Sequence, residues 1–344
     1  MKAAVLEKPL ERFVVKTVDT PKPEGFEVLV KVKAAGLCHT DIHIWEGHYG
    51  PLKVEERGIK FPLILGHEIS GEVAEIGRFV TGFEQGEKVV VFPWIGCGLC
   101  KACRMGEENL CIYGTKPLGI VRQGGFADFV LVPHQRYLIK VDADLSSTAP
   151  LACAGITAYN AVKKAELSPG DNVALIGMGG VGHIALQMVK RLYGASIIAI
   201  DVRDNALELA EKMGAEYTIN ASKTDVVKEV QKITNNIGLD AVIDFVAHTD
   251  TISYAFNSLK RGGKLVVVGI GGEYTNLTLP LIPLRNVKIH GSYVGSIIDL
   301  LEVLELYKRG VINVSTSLYP LEQVNEVFEM LRTGKIVGRA VFKL

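Results

Sequence analysis

The stretch Val173-Ala174-Leu175-Ile176-Gly177-Met178-Gly179-Gly180-Val181-Gly182 decides the fold class of this chain. Four apolar residues of strand character run into a glycine-spaced turn, and a segment of helical period follows. That order is the fingerprint of a dinucleotide-binding unit. Gly177 permits the tight turn, Gly179 lets the backbone approach a pyrophosphate, and Gly182 lets the helix pack close on the strand. With Gly180 and Val181 between them, the helix N-terminus then supplies an anion site. Glycine accounts for 36 of 344 residues, so the spacing alone could be ordinary turn chemistry. A second strand ending at Asp201 decides for a dinucleotide, because a carboxylate there accepts from ribose hydroxyls. The same charge repels a 2′-phosphate, so NAD is expected over NADP, with Arg203 leaving some room for the latter.

Around this unit, apolar runs of strand length alternate with segments of helical period. Helices are expected over 151–165, 181–193, 205–213, 224–234 and 251–259. Strands are expected over 172–176, 196–201, 217–220, 241–244, 264–269 and 287–292. Alternation on this scale predicts an α/β fold, a parallel sheet covered by helices on both faces. Before Pro150 the pattern is different. Short runs rich in Val, Ile and Phe, such as Lys88–Phe92 and Phe126–Val132, are punctuated by Gly and Pro and predict an irregular β-barrel. The polar segment from Tyr49 to Lys60 is expected to be an exposed loop or a subunit contact. A last helix, through Lys308, and short strands end the chain, with Gly338 to Lys343 expected to return to the first domain. The predicted division is therefore 1–152, completed by 295–344, and 153–294.

Composition excludes several classes of function. Lys+Arg and Asp+Glu both total 38, so no basic field exists to hold a nucleic-acid backbone. Nowhere do eighteen apolar residues run uninterrupted, and the four apolar residues before Glu7 are too few for a signal-peptide core, so a soluble, cytoplasmic protein with no membrane partner is expected. Six cysteines in such a chain read as metal ligands, catalytic groups or buried thiols before disulfides.

Their positions carry the chemistry. Cys97, Cys100, Cys103 and Cys111 place four thiols within fifteen residues, which suits a closed, structural tetrahedral zinc. The competing reading, an iron–sulfur cluster, usually has its fourth cysteine closer and followed by Pro; here Ile112 follows. Cys38 and Cys153 remain, with Gly66-His67-Glu68 between them. Two thiolates and one imidazole leave a coordination position for water or substrate, which is a catalytic zinc set. Cys153 alone would read as a buried core thiol, but the second set accounts for all six cysteines. Asp41 is expected to accept a hydrogen bond from the second nitrogen of His67. Glu68 reads either as a carboxylate behind the ligands or as a transient fourth ligand.

On these motifs, Cys38-His39-Thr40-Asp41 with His43, Gly66-His67-Glu68 with Gly71, the four-cysteine lobe and the glycine turn, the chain resembles the zinc-containing alcohol dehydrogenases of the medium-chain dehydrogenase/reductase superfamily, in particular the tetrameric enzymes of archaea and bacteria. The resemblance covers essentially the whole chain. It implies a GroES-like barrel domain plus a Rossmann doubly wound domain, and one catalytic and one structural zinc per subunit. Cys38, His67 and Cys153 would hold the catalytic ion with Glu68 beside it. Thr40 and His43 would form a proton relay by way of a ribose hydroxyl. His39 and Arg339 would lie near the cofactor pyrophosphate, while Val268, Gly269 and the backbone of Tyr293 and Val294 would flank the nicotinamide. A homotetramer acting on a small-molecule alcohol, aldehyde or ketone is implied.

Phe92 and Trp94 close a strand just before the cysteine lobe, and alternation would put both on one side with Pro93 pointing away. Barrel core is the plain reading; with the resemblance, Trp94 becomes a pocket wall and the pocket apolar. A zinc-dependent threonine or polyol dehydrogenase is the rival among enzymes. The family's polyol branch tends to carry a carboxylate where this chain has Cys153. A nucleotide-sensing or structural protein without turnover is the rival of another class, and it would need neither an open zinc site nor Thr40 and His43.

Overall fold

The computed structural model describes all 344 residues, which divide into two compact units. The first comprises Met1–Ile156, Gly295–Lys308 and Val314–Leu344; the second comprises Thr157–Val294 and Arg309–Asn313. The expected boundary between residues 152 and 153 falls slightly before this division, which leaves Cys153 in the first unit.

The second unit is built on six parallel strands in the spatial order Tyr217–Asn220, Ser196–Asp201, Asn172–Ile176, Leu239–Asp244, Leu259–Val267 and Lys288–Gly291. Numbered along the chain this order is 3-2-1-4-5-6, a doubly wound Rossmann sheet whose connections reverse beside the strand that carries the glycine turn. The inner strands are apolar because both faces are covered. Ile176, Ile198, Ile200, Val242 and Leu265 are buried in one cluster with Val226 and Val230 from the helix Val226–Ile233 and with Ile252 and Phe256 from Thr249–Ser258. Each such side chain contributes about 1.5–3 kcal/mol by leaving water. The fifth strand begins at Leu259 instead of 264, and its pairing with Leu239–Asp244 shifts register between Leu239 and Ala241.

Two helices depart from the sequence reading. The segment expected as one helix over 151–165 is a 3-10 turn, Ala149–Ala152, followed by the helix Ala154–Lys164, with Cys153 between them at φ −129°, ψ −69°. A long-range contact marks the break: the Ala152 carbonyl accepts from Trp94 Nε1 at 3.2 Å. The helix after the glycine turn runs Gly182–Met188 and then widens to a π-helix over Val189–Tyr193.

In the first unit, the strand Val28–Leu37 is the central element. It pairs antiparallel with Glu68–Ile76 and with Phe129–Val132, while Arg339–Lys343 pairs with its C-terminal half. Only Lys31 and Lys33 break its burial, as expected of a strand covered on both faces. Beyond it lie Lys88–Val91, Leu138–Lys140 and Thr316–Pro320. A smaller sheet of Val14–Thr17, Lys2–Leu6 and Leu63–Ile64 is tied on by the Ala3–Ala127 bridge and the Ala4 to Phe126 hydrogen bond, which makes an irregular barrel. The segment 49–60 holds more order than expected. It contains the ladder of His48–Tyr49 with Leu52–Lys53 and the turn Glu55–Arg57, and it buries Tyr49, Val54 and Ile59 under a charged surface.

Candidate active site

Two loops and a helix break bring one cluster together. The ligand atoms of Cys38, His67, Glu68 and Cys153 all lie within 4.8 Å of one another, and all four residues are buried. Cys38 follows the central strand and caps the helix His39–Glu46, with its N–H donated to Asp41 Oδ2 at 2.9 Å. Asp41, itself fully buried, also accepts from Gly66 N through Oδ1 at 3.4 Å. One carboxylate thus ties together the segments that carry Cys38 and His67. Its Oδ1 stands 3.5 Å from His67 Nδ1, an ion-pair distance and too long for a well-formed hydrogen bond. Gly36 makes room for the fourth donor: a Cβ there would stand 3.0 Å from Glu68 Cβ and closer still to Oε2.

The cluster's electrostatics call for a cation. The hydrogen bond between the two thiols pulls Cys38 well below its ordinary pKa and pushes Cys153 well above it. Burial opposes charging His67, yet the Asp41 carboxylate and the Cys38 sulfur outweigh it and raise the imidazole. Burial pushes Glu68 up to about 7 against the pull of Arg339. Glu68 Oε1 is ion-paired to Arg339, while Oε2 and both ring nitrogens of His67 have no hydrogen-bond partner. Buried polar atoms without partners are costly, and a divalent ion among two sulfurs, an imidazole and a carboxylate would satisfy Glu68 Oε2 and one His67 nitrogen. The donor set fits zinc.

The helix His39–Glu46 carries Thr40 and His43 three residues apart, hence on one face. Both are partly buried and His39 is exposed. His43 packs on Tyr49 with ring centroids 5.4 Å apart, and its Nδ1 lies 3.8 Å from Glu46 Oε2. Burial lowers the His43 pKa; Glu46 opposes this, and His39 and His48 add to it.

The four cysteines of the surface lobe, Cys97, Cys100, Cys103 and Cys111, also place their sulfurs within 4.8 Å, and all six cysteines of the chain are free thiols. Backbone N–H groups point at sulfur here. Cys97 Sγ accepts from Leu99 at 3.4 Å and from Cys100 at 3.3 Å. Donors from Cys103 and Ile112 hold Cys100 down to about 6, whereas burial drives Cys103 up to about 12. Thiolate charge is therefore already favoured at part of the set, as a zinc site requires.

In the second unit, Gly177 takes φ +88°, and a Cβ on Gly182 would collide with the Gly177 carbonyl. Met178 N donates to Asp201 Oδ2 at 2.8 Å, which draws the turn and the second strand together. Arg203 donates to the same carboxylate through its backbone N, Nε and Nη2. Val268 and Gly269 both donate to the Asp244 carbonyl, and Val294, at φ +40°, has its carbonyl held by Asn160 Nδ2 at 2.6 Å.

The zinc-binding dehydrogenase family matches residues 180–309, and the alcohol dehydrogenase GroES-like domain matches residues 24–143. An NAD-dependent alcohol dehydrogenase of Sulfurisphaera tokodaii is 43% identical over 99% of this chain and 98% of its own length. One from Saccharolobus solfataricus is 42% identical over 97% of this chain and 96% of its own. The crystal structure of the alcohol dehydrogenase from the hyperthermophilic archaeon Aeropyrum pernix superposes with a TM-score of 0.94 at 39% identity, covering 100% of both chains. The chain belongs to the zinc-binding alcohol dehydrogenase family.

Within this alcohol dehydrogenase fold, not all expected site residues meet. Trp94 stands edge-on to His67, ring centroids 5.7 Å apart. Phe92 instead is fully buried and stacks on Tyr137. The alternation expected to pair them stops because the strand ends at Val91, ahead of Pro93, which has no N–H to extend it. Arg339, expected near a pyrophosphate, is 5% exposed and paired with Glu68.

Sequence reasoning missed Asn160, which holds Val294, and Asp244. The buried Asp244 carboxylate accepts from Val246 N, Ala247 N and Thr251 Oγ1 while its carbonyl holds residues 268 and 269. An acidic residue closing an apolar strand was the visible signal for Asp244; nothing local marks Asn160.

Proposed function

We infer that this chain oxidises alcohols to aldehydes or ketones, reversibly, with NAD and zinc. The observation that carries the reading is the buried cluster of Cys38, His67, Glu68 and Cys153 with its unpartnered His67 nitrogens and Glu68 Oε2. Cys38, His67 and Cys153 hold the catalytic ion, Glu68 serves as fourth donor or partner of Arg339, and the four-cysteine lobe holds a structural one. When bound, zinc supplies Lewis acidity at the substrate oxygen and NAD accepts the hydride.

The chain's own residues then bind, orient and move the proton. Thr40 takes it from the substrate hydroxyl, and His43, low in pKa and therefore neutral at physiological pH, carries it towards solvent. Asp41 keeps the Cys38 and His67 segments together. In the dinucleotide unit, Gly177, Gly179, Gly180, Val181 and Gly182 receive the pyrophosphate and Asp201 the ribose. Val268, Gly269, Tyr293 and Val294 bound the nicotinamide. The first compact unit is the catalytic domain and the second the NAD-binding domain.

Trp94 beside His67 supports an apolar substrate side, with aliphatic, cyclic or benzylic alcohols preferred. A D-arabinose dehydrogenase of Sulfolobus solfataricus superposes at TM-score 0.85 and 28% identity, which keeps a polyol substrate as the second reading. NADH formation measured over a panel of simple alcohols, threonine and polyols decides. Preference for a polyol or threonine sinks the apolar reading, and no turnover at all on zinc-loaded protein sinks the enzyme.

We further propose a cytoplasmic homotetramer. Six free thiols suit a reducing compartment, and no helix is long and apolar enough to cross a membrane. Leu99, Met105, Ile112 and Tyr113 expose large apolar surface on the cysteine lobe, which suits burial against another subunit. Sedimentation analysis showing a monomer would end this proposal.

A further inference from the structure

We propose that the Arg203 side chain is a built-in competitor for the cofactor's adenosine ribose, and that it relaxes the discrimination against a 2′-phosphate that Asp201 would otherwise impose. The proposal rests on the reading of Asp201 as the ribose acceptor. An ionised carboxylate offers about four acceptor sites. On Asp201 all four are taken: Oδ1 accepts from Arg203 N at 3.0 Å and Nε at 3.1 Å, and Oδ2 accepts from Arg203 Nη2 at 3.1 Å and Met178 N at 2.8 Å. The two backbone donors belong to the glycine turn and to the N-cap of the helix Asp204–Lys212, so the fold holds them in place. Ribose hydroxyls gain this carboxylate only when the two guanidinium donors leave it.

Displacement is open to this side chain. Asp201 is buried, whereas the Arg203 side chain is 31% exposed, and a Cβ on Gly179 would stand 3.7 Å from its Nη2. The guanidinium thus lies over the glycine turn at the edge of solvent. Once displaced it stays tethered two residues from Asp201, beside the ribose. A planar fork of N–H donors there suits a phosphate in two-pronged fashion. The pair therefore lowers NAD affinity through the fraction of molecules in which Asp201 is covered, and it offers a 2′-phosphate a counter-charge.

Calorimetric titration of the zinc-loaded full chain with NAD and with NADP, without alcohol, tests both halves. Arg203→Ala is expected to tighten NAD about two- to fivefold, the range of a partly exposed ion pair, and to weaken NADP by a similar factor. Arg203→Lys keeps the charge and loses the fork, so NAD should tighten while NADP weakens less than in Arg203→Ala. Asp201→Ala provides the control and should weaken NAD. If Asp201→Ala leaves NAD binding unchanged, the ribose-acceptor reading fails and the inference falls with it. If Asp201→Ala weakens NAD but Arg203→Ala does not tighten it, or moves NAD and NADP in the same direction, the inference alone is overturned.

Discussion

At the scale of single residues, His43 is a group whose titration is set by its burial and its charged neighbours. Burial lowers its pKa, and Glu46, 3.8 Å from Nδ1, pushes the other way. A base must be neutral to accept a proton, so the acidic limb of kcat for alcohol oxidation should lie below the ordinary imidazole value of about 6.5. Glu46→Gln should move that limb lower still, and a pH profile that moves upward would contradict the assignment. His43→Ala should slow turnover on the order of tenfold or more, most at low pH, with partial rescue by added buffer base. The same lowered pKa has a sign for folding. Its stabilisation is present above about pH 6.5 and is lost as the pH falls through the lower folded-state value, because the unfolded chain binds the proton first.

Gly36 is the second position where one atom decides. A methyl group there would overlap the Glu68 carboxylate and press it off Arg339. Gly36→Ala should cost about 1–3 kcal/mol by overpacking. Urea unfolding and zinc content together check this, and a variant with unchanged stability would mean that Glu68 can move freely.

Among elements, the cysteine lobe and the turn at Val294 are set by contacts of opposite kinds. The lobe's short helix, Lys101–Arg104, and its 3-10 turn, Glu108–Leu110, bury little apolar surface, with Cys100, Cys103 and Cys111 as their core cluster. A zinc ion on its four sulfurs would supply much of its order. Cys103→Ser should lower the thermal midpoint on the order of 5–10 °C while a zinc-loaded fraction still turns over, whereas Cys38→Ser should abolish turnover with the midpoint largely kept. Val294 is a β-branched residue at positive φ, a conformation that persists only when its surroundings impose it. Asn160→Ala removes the hydrogen bond that does so, about 0.5–1.5 kcal/mol, and should raise KM for NAD several-fold with a smaller change in kcat. Equal changes in both would place Asn160 elsewhere in the mechanism.

For the whole molecule, the expected stoichiometry is two zinc ions per chain, one for each four-residue set. Elemental analysis checks it, and iron with acid-labile sulfide in place of one zinc would overturn the lobe's assignment. Much of the architecture was legible beforehand because local patterns repeat. The alternation of apolar strands with helical segments specified the doubly wound sheet, and a strand followed by Gly177, Gly179 and Gly182 specified its turn, since both follow from backbone sterics that act over a few residues. Cysteine spacing likewise specified the lobe, a local loop.

What sequence by itself determined, then, was whatever is encoded within a turn or two: element types, the glycine turn, and which side chains could bind metal. Tertiary structure alone decided where those side chains point. Cys153 reaches Cys38 and His67 because Trp94 takes the Ala152 carbonyl at a helix break. Phe92 turned into the barrel because its strand stops at Val91. Arg203 closed over Asp201, and Asn160 reached Val294 across 134 residues of sequence. These are long-range or side-chain contacts that compete with local preference, and their outcome depends on packing and burial, for which residue order carries no periodic signal.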